Sequence, residues 1–248
     1  MKIKIKSIAS EKELNIRKDF LELYKKSPIP ENEILSNLGL YIKRQEFSKF
    51  LFFNEIYQQV LKIPGIIVEF GVRWGQNLVT FNNLRGIYEP YNYGRKIIGF
   101  DTFEGFASIS KKDGKHKIIE NGAFSVTKNY EDYLIKILNY HENESPLNHI
   151  NKNFIIKGNA IDTLAKYLNE HPETIIAFAY FDMDIYEPTK ECLKLIKPHL
   201  IKGSVIGFDE LNDPQFPGET IALKEIFNLN EINLQKNKFG GIQSYFIY

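Results

Sequence analysis

The chain has 248 residues, 43% hydrophobic and 25% charged, which suits one sizeable α/β domain with a helical extension and excludes a disordered tail. Lys and Arg number 32 against 31 Asp and Glu, a net charge of +1, so nucleic acid and anionic membranes are excluded as main partners and a small molecule is expected. The single cysteine, Cys192, cannot form an internal disulfide, the opening MKIKIKSIAS has no apolar h-region, and the longest apolar run, 175–181, falls far short of the roughly 20 residues of a membrane helix; a cytoplasmic setting is expected.

From about residue 10 to 62 apolar residues recur at helical spacing, as in Phe20, Leu21 and Tyr24, then Phe47, Phe50, Leu51, Phe53, Ile56, Tyr57 and Val60, with a break at 27–30. Two or three helices are predicted there. The second is apolar on more than one face, as expected of a cap on the core or of a homodimer surface. After Pro64-Gly65 come short runs at 65–70, 96–100, 153–157, 174–181 and 204–208. They lack alternation, the mark of parallel strands covered on both faces, with crossover helices predicted at 77–84, 161–168 and 189–196. Residues 231–235 and 243–248 flank a Lys/Asn/Gly-rich turn and read as an antiparallel pair. Segment 102–152 is too long for an ordinary crossover. It carries a predicted helix at 130–140 and a stretch at 111–117 that reads as mobile, and it is expected to serve a site. The division is therefore a helical extension, 1–62, and a ligand-binding α/β domain, 63–248.

In open α/β sheets ligands lie beyond the carboxyl ends of the strands, and acids gather there. The first strand ends VEFGVRWGQN, placing Glu69 before a turn with Gly71 and Gly75 that feeds a helix starting at Asn77. Such a turn lets backbone approach a ligand, but it lacks G-x-G-x-x-G spacing. The second strand runs into Asp101, Thr102 and Phe103 of GFDTFEGF, where an acid suits ribose hydroxyls. The third runs into Gly158, Asn159 and Ala160, where an adenine edge or a plain helix-entry turn would fit. The fourth runs into FDMDIYEPT, with Asp182 and Asp184 pointing the same way if the chain is extended; the fifth runs into GFDELND, with Asp209, Glu210 and Asp213. Two acidic clusters on neighbouring strand ends repel unless a cation, a proton or a basic ligand compensates. Asp182, Asp209 and Glu210 could hold Mg²⁺, while the alternative is capping and solvated acids. His116, His141 and His149 lie in the insertion without metal-ligand spacing.

In this order EFGVRWGQN, FDTFEGF, GAFSV, FDMDIYEPT and the acidic end of the fifth strand resemble the macrocin O-methyltransferase (TylF-type) family of class I S-adenosylmethionine-dependent methyltransferases, over about residues 55–225. The resemblance implies a Rossmann-like, seven-stranded, mostly parallel sheet with an antiparallel last strand. It also implies S-adenosylmethionine as cofactor, the methionyl part by Glu69, Gly71, Gly75 and Asn77, the ribose by Asp101, Thr102 and Phe103, and Asp182 at the methyl-transfer centre, often on Mg²⁺. Asp182 and Asp184 are the catalytic candidates. Metal-using members commonly end the fifth strand in Asp-Asp-Tyr, whereas this chain has Phe208-Asp209-Glu210, which puts the metal in question. The acceptor class implied is a sugar, sugar nucleotide or phosphorylated glycan precursor. A catalytically silent cofactor-binding protein and a NAD-dependent oxidoreductase are the alternatives.

Overall fold

The computed structural model describes residues 9–248; residues 1–8, which carry the opening basic stretch and the start of the extension, lie outside the described residues. Five strands are parallel: β1 (Ile66–Phe70), β2 (Ile97–Asp101), β3 (Asn153–Lys157), β4 (Ile176–Phe181) and β5 (Leu200–Phe208). With β6 (Gln235–Lys236) and β7 (Ser244–Ile247) they form one sheet of order β3-β2-β1-β4-β5-β7-β6, in which β7 runs antiparallel between β5 and β6. The order reverses between β1 and β4, which opens a crevice at their carboxyl ends.

The uninterrupted apolar runs are explained by cover on both faces. One face packs against α6 (Ala160–Glu170), α7 (Tyr186–Ile196) and α8 (Gly218–Ile226) through Leu164, Leu193, Ile196 and Leu223. The other packs against α3 (Arg44–Val60), α4 (Gln76–Tyr88) and α5 (Tyr130–Asn143) through Phe52, Phe53, Phe81 and Leu134. Among the helices ahead of β1, α3 is thus part of the core. By contrast α1 (Glu11–Lys25), started by a Ser10–Glu13 capping box, has no buried residue, and neither does the short α2 (Glu31–Ile34).

A row of stacked rings crosses four strand ends. Phe100, Phe70, Phe181 and Phe208 are register partners in turn, with centroids 5.4, 4.8 and 5.3 Å apart, and all are fully buried. The residue after each phenylalanine, Asp101, Gly71, Asp182 and Asp209, therefore forms the next row, at the rim.

Three expectations change. Residues 231–234 are not a strand: Glu231 closes a turn by donating its N–H to the Asn228 carbonyl and 232–234 are irregular, leaving only Gln235–Lys236 to pair with β7. The strand end at 182–184 is not extended, because β4 stops at Phe181 and Asp184 has φ +61°. The first part of the stretch at 111–117 is held in place: Lys111–Asp113 is a 3-10 turn whose buried Asp113 carboxylate accepts the N–H groups of Ser110 and of Tyr186 at the start of α7.

Candidate active site

A cavity of about 290 Å³ lies at the carboxyl ends of β1 to β5. Of the cofactor-side residues, Gly71, Asp101, Thr102, Gly158, Asn159, Ala160 and Asp182 line it, as do Asp184, Asp209 and Glu210. Glu69, Gly75, Asn77 and Phe103 do not. None of the insertion's histidines lines the cavity either, but its Phe106, Ser108 and Phe124 do.

The two glycines of the β1 turn are required by the chain's own packing. At Gly71, with φ +90°, a Cβ would stand 1.9 Å from the carbonyl oxygen of Asp182, so glycine is what lets β1 and β4 close at the rim. Gly75, with φ +80°, is the N-cap of α4, and a Cβ there would meet the Leu134 side chain at 2.4 Å. It abuts α5 instead of a ligand.

Asp101 is aimed by backbone: Oδ2 accepts the Arg73 N–H at 2.7 Å and Oδ1 accepts the Phe103 N–H at 2.5 Å. Phe103 therefore works through its amide, its ring being buried. Burial raises the Asp101 pKa and these amides pull against it. Each oxygen keeps acceptor capacity for a hydroxyl. Beside it, Arg73 has φ +49°, stacks over Phe124 at 5.0 Å and leaves a buried Nε without a partner. Asn159 caps α6 by accepting the Ile161 N–H at 3.0 Å, as a helix-entry turn does.

Glu69 lies below the rim, wholly buried. Asn77 Nδ2 donates to Glu69 Oε1 at 2.8 Å and to Asp182 Oδ2 at 3.2 Å, joining the two acids. Glu69 Oε2 is left with no partner. Burial and the Asp182 charge hold the Glu69 pKa well above the usual carboxylate range.

The acidic rim is compensated in two ways. The first is Lys49, which the sequence did not single out as a site residue. From α3 its ammonium reaches Asp182 Oδ2 at 3.1 Å and Asp209 Oδ1 at 2.8 Å. Burial pulls the Lys49 pKa down, but the two aspartates more than reverse this, so the amine stays protonated. Asp209 Oδ1 also accepts the Tyr180 hydroxyl at 2.6 Å and Gln243 Nε2 at 3.1 Å. Against the upward effect of burial, Lys49 and these donors bring its pKa below the usual value. Asp182 goes the other way, raised by burial and by Asp209. One local signal pointed to Lys49, a lone cation inside the apolar run FSKFLFF; nothing in their own segments marked Tyr180 or Gln243.

The second compensation is protons. Buried Glu219 accepts the N–H groups of Met183 and Asp184 on Oε1 at 3.2 and 3.3 Å, and that of Glu210 on Oε2 at 3.4 Å. Burial and then Asp184 raise its pKa well above the carboxylate range; Asp184 is likewise raised, by burial and Glu210. Glu210 is pushed up to about 7 by burial and by Asp209, and its Oε2 is buried without a partner.

These residues do not fit the expected Mg²⁺ site. The point between Asp182 and Asp209 is taken by the Lys49 ammonium, and Phe208 lies in the ring stack below the rim. No group of three or more His, Cys, Asp or Glu among the described residues is arranged to hold a metal ion. They do fit a cationic cofactor, with an acidic rim and an orphaned Glu69 oxygen beneath it.

No protein-family model and no curated protein matches the chain. Solved structures do. The chain is similar to the crystal structure of CalS11, a calicheamicin methyltransferase, at 40% identity and a TM-score of 0.94, covering 98% of this chain and 95% of that one. It is similar also to an apo structure of CalS11, described as a TDP-rhamnose 3'-O-methyltransferase of calicheamicin biosynthesis, at 37% identity and a TM-score of 0.85, covering 98% and 96%. The chain belongs to the TylF-type family of class I S-adenosylmethionine-dependent methyltransferases. The O-methyltransferase NovP, at 17% identity and a TM-score of 0.59 over 81% of this chain and 79% of that one, shares the fold. Methyl transfer from S-adenosylmethionine is thus the activity, and the oxidoreductase and the silent binder fall away.

Proposed function

We propose that this methyltransferase acts on a hydroxyl of a sugar, most simply a nucleotide-linked one, with a phosphorylated glycan precursor as the wider class. The observation that carries the reading is that the Asp101 clamp and the Asp182–Asp209 pair open onto one cavity. The 37% identical relative, described as a TDP-rhamnose 3'-O-methyltransferase, supports the acceptor class.

S-Adenosylmethionine supplies a methyl group on a cationic sulfonium. Asp101, fixed by two amides, would hold the ribose, the Gly71 and Gly158–Ala160 turns would flank the adenosine and methionyl parts, and Asp182, held from beneath by Asn77 and Glu69, would face the amino group. The donor is already activated, so the chain's work is to align the acceptor and take its proton. Asp182 Oδ1 and Asp209 Oδ2 have no side-chain donor among the described residues, and both aspartates line the cavity. Asp182, the more basic of the two, is the proton acceptor in this reading, with Asp184 beside it.

A cytosolic setting, in which Cys192 stays a buried thiol, belongs to the same reading. No helix among the described residues is long and apolar enough to cross a membrane. So does a homodimer formed through α1 and residues 35–42, where Leu21, Leu23, Leu35 and Leu40 are exposed; a monomeric mass by light scattering would refute it.

The test of the acceptor is a mass-spectrometric screen for a 14-dalton gain across nucleotide sugars, phosphorylated sugars and free sugars, with S-adenosylmethionine binding followed by calorimetry. Methylation confined to non-sugar acceptors overturns the acceptor class, and absence of cofactor binding overturns the cofactor site.

A further inference from the structure

We propose that Lys49 is the resident cation of the acceptor site, standing where the sequence pattern placed a divalent ion, and that methyl transfer in this protein proceeds without one. The proposal rests on the methyltransferase reading and concerns what holds its two rim aspartates.

Three observations carry it. The ammonium contacts both aspartates, Asp182 Oδ2 at 3.1 Å and Asp209 Oδ1 at 2.8 Å, so the inner oxygen of each is engaged. A magnesium ion demands oxygens at about 2.0–2.1 Å around one point in near-octahedral array; here that point is the lysine nitrogen. The second is anchorage. Lys49 rides on a core helix beside Phe52 and Phe53, its ammonium 5.8 and 5.6 Å from the centroids of the Phe53 and Tyr180 rings. The preceding Ser48 hydroxyl donates to the Phe239 carbonyl at 2.9 Å, tying α3 to the turn before β7. The third is division of labour. Tyr180 and Gln243 crowd the same Asp209 oxygen that Lys49 holds, and Asn77 shares the Asp182 oxygen, so the side-chain donors among the described residues all fall on one oxygen of each aspartate and leave the other for a ligand.

Lys49 does not line the cavity and acts through the aspartates; it is a positioning residue. It keeps both carboxylates aimed and Asp209 charged. A single positive charge also leaves the rim more acidic than a divalent ion would, which favours a cationic methyl donor over a neutral one.

The test needs the purified full chain and an active acceptor from the screen above. Wild-type turnover is expected to be unchanged, within about twofold, after EDTA treatment, and Mg²⁺ or Mn²⁺ alone to give no calorimetric binding isotherm. Lys49→Met is expected to lower kcat by about 100-fold or more, with the calorimetric Kd for S-adenosylmethionine within about threefold, and to move the acid limb of the kcat profile upward by about one pH unit, because the aspartates lose their cation. Lys49→Arg is expected to restore the position of that limb. Loss of wild-type activity with EDTA and recovery with Mg²⁺ overturns the proposal, with no dependence on whether a variant folds. An unchanged kcat and pH profile in Lys49→Met overturns it as well. Failure of the wild type to bind S-adenosylmethionine would instead sink the cofactor site and leave the metal titration to judge Lys49.

Discussion

Glu219 Oε1 accepts the backbone N–H of Asp184 at 3.3 Å, so a buried side chain on α8 fixes the left-handed residue that follows β4. Its other oxygen holds Glu210 on the neighbouring strand end. Burial raises the pKa of this carboxyl, but a glutamine of the same shape offers an acceptor on one side only, because its amide nitrogen donates and would face a backbone N–H. Glu219→Gln, which can keep the acceptor for Met183 and Asp184 and loses the one for Glu210, is expected to cost about 1 kcal/mol of stability, and Glu219→Ala, which strands three amides, about 2–4 kcal/mol. Urea unfolding of both variants checks this; equal losses would show that hydrogen bonding to the loops is not what Glu219 provides.

Gly71→Ala adds a methyl to a residue at φ +90° and 1.9 Å from the Asp182 carbonyl oxygen. Neither partner is a flexible side chain, so the ends of β1 and β4 must part. The variant is expected to lose about 2 kcal/mol or more and, if it folds, to bind S-adenosylmethionine at least about tenfold more weakly, because the turn and the Asp182 row move together. Calorimetry on a variant with a native circular dichroism spectrum decides it.

Glu210 gives a pH prediction whose sign is fixed. Its folded-state pKa is about 7 against a reference of 4.5, so between those values the folded protein binds the extra proton. Its contribution therefore favours folding below the lower value and is lost as pH rises through about 7. The stability difference between Glu210→Gln and wild type is expected to grow in the variant's favour from pH 5 to pH 8. Denaturation midpoints at both pH values measure it, and a difference independent of pH would contradict it.

A second buried network lies far from the rim. Glu142 of α5 accepts from Arg85 of α4 at 2.5 Å and from Asn153 of β3 at 2.6 Å and pairs with Lys152, all of them buried. Glu142→Ala leaves two cations facing each other in the interior and is expected to cost about 3–5 kcal/mol. Thermal melting checks this, and a loss below 1 kcal/mol would mean the cations find water or another partner.

Much of this molecule was legible in its sequence because its strands are buried on both faces. The run 175–181 is apolar without interruption and 65–70 is broken only by the buried Glu69, and the residue that follows each strand falls at the rim by chain geometry alone; Asp101, Asp182 and Asp209 could be found that way. Lys49 lies 133 residues from the aspartate it pairs with, and Gln243 lies 34 from its own. No local pattern encodes such a pairing. Phe208, whose place in an acidic motif put the metal in question, was readable for a different reason: side chains alternate at a strand end, so position 208 faces the packed layer and position 209 lines the cavity. The edge strand β6 was misjudged in length because a two-residue polar strand has no periodicity to read.

The row of phenylalanine rings under the rim has an electrical consequence. Below the strand-end carboxylates, apart from the Lys49 ammonium and the Glu69–Asn77 pair, lies a layer of hydrocarbon that cannot reorient to screen charge, so what remains of their field is directed toward the mouth of the crevice. The rim acts as a half-insulated electrode. A positively charged methyl donor should be attracted to it before any contact forms and its neutral, demethylated product held less firmly, so the discharge of the sulfonium during transfer itself helps to empty the site.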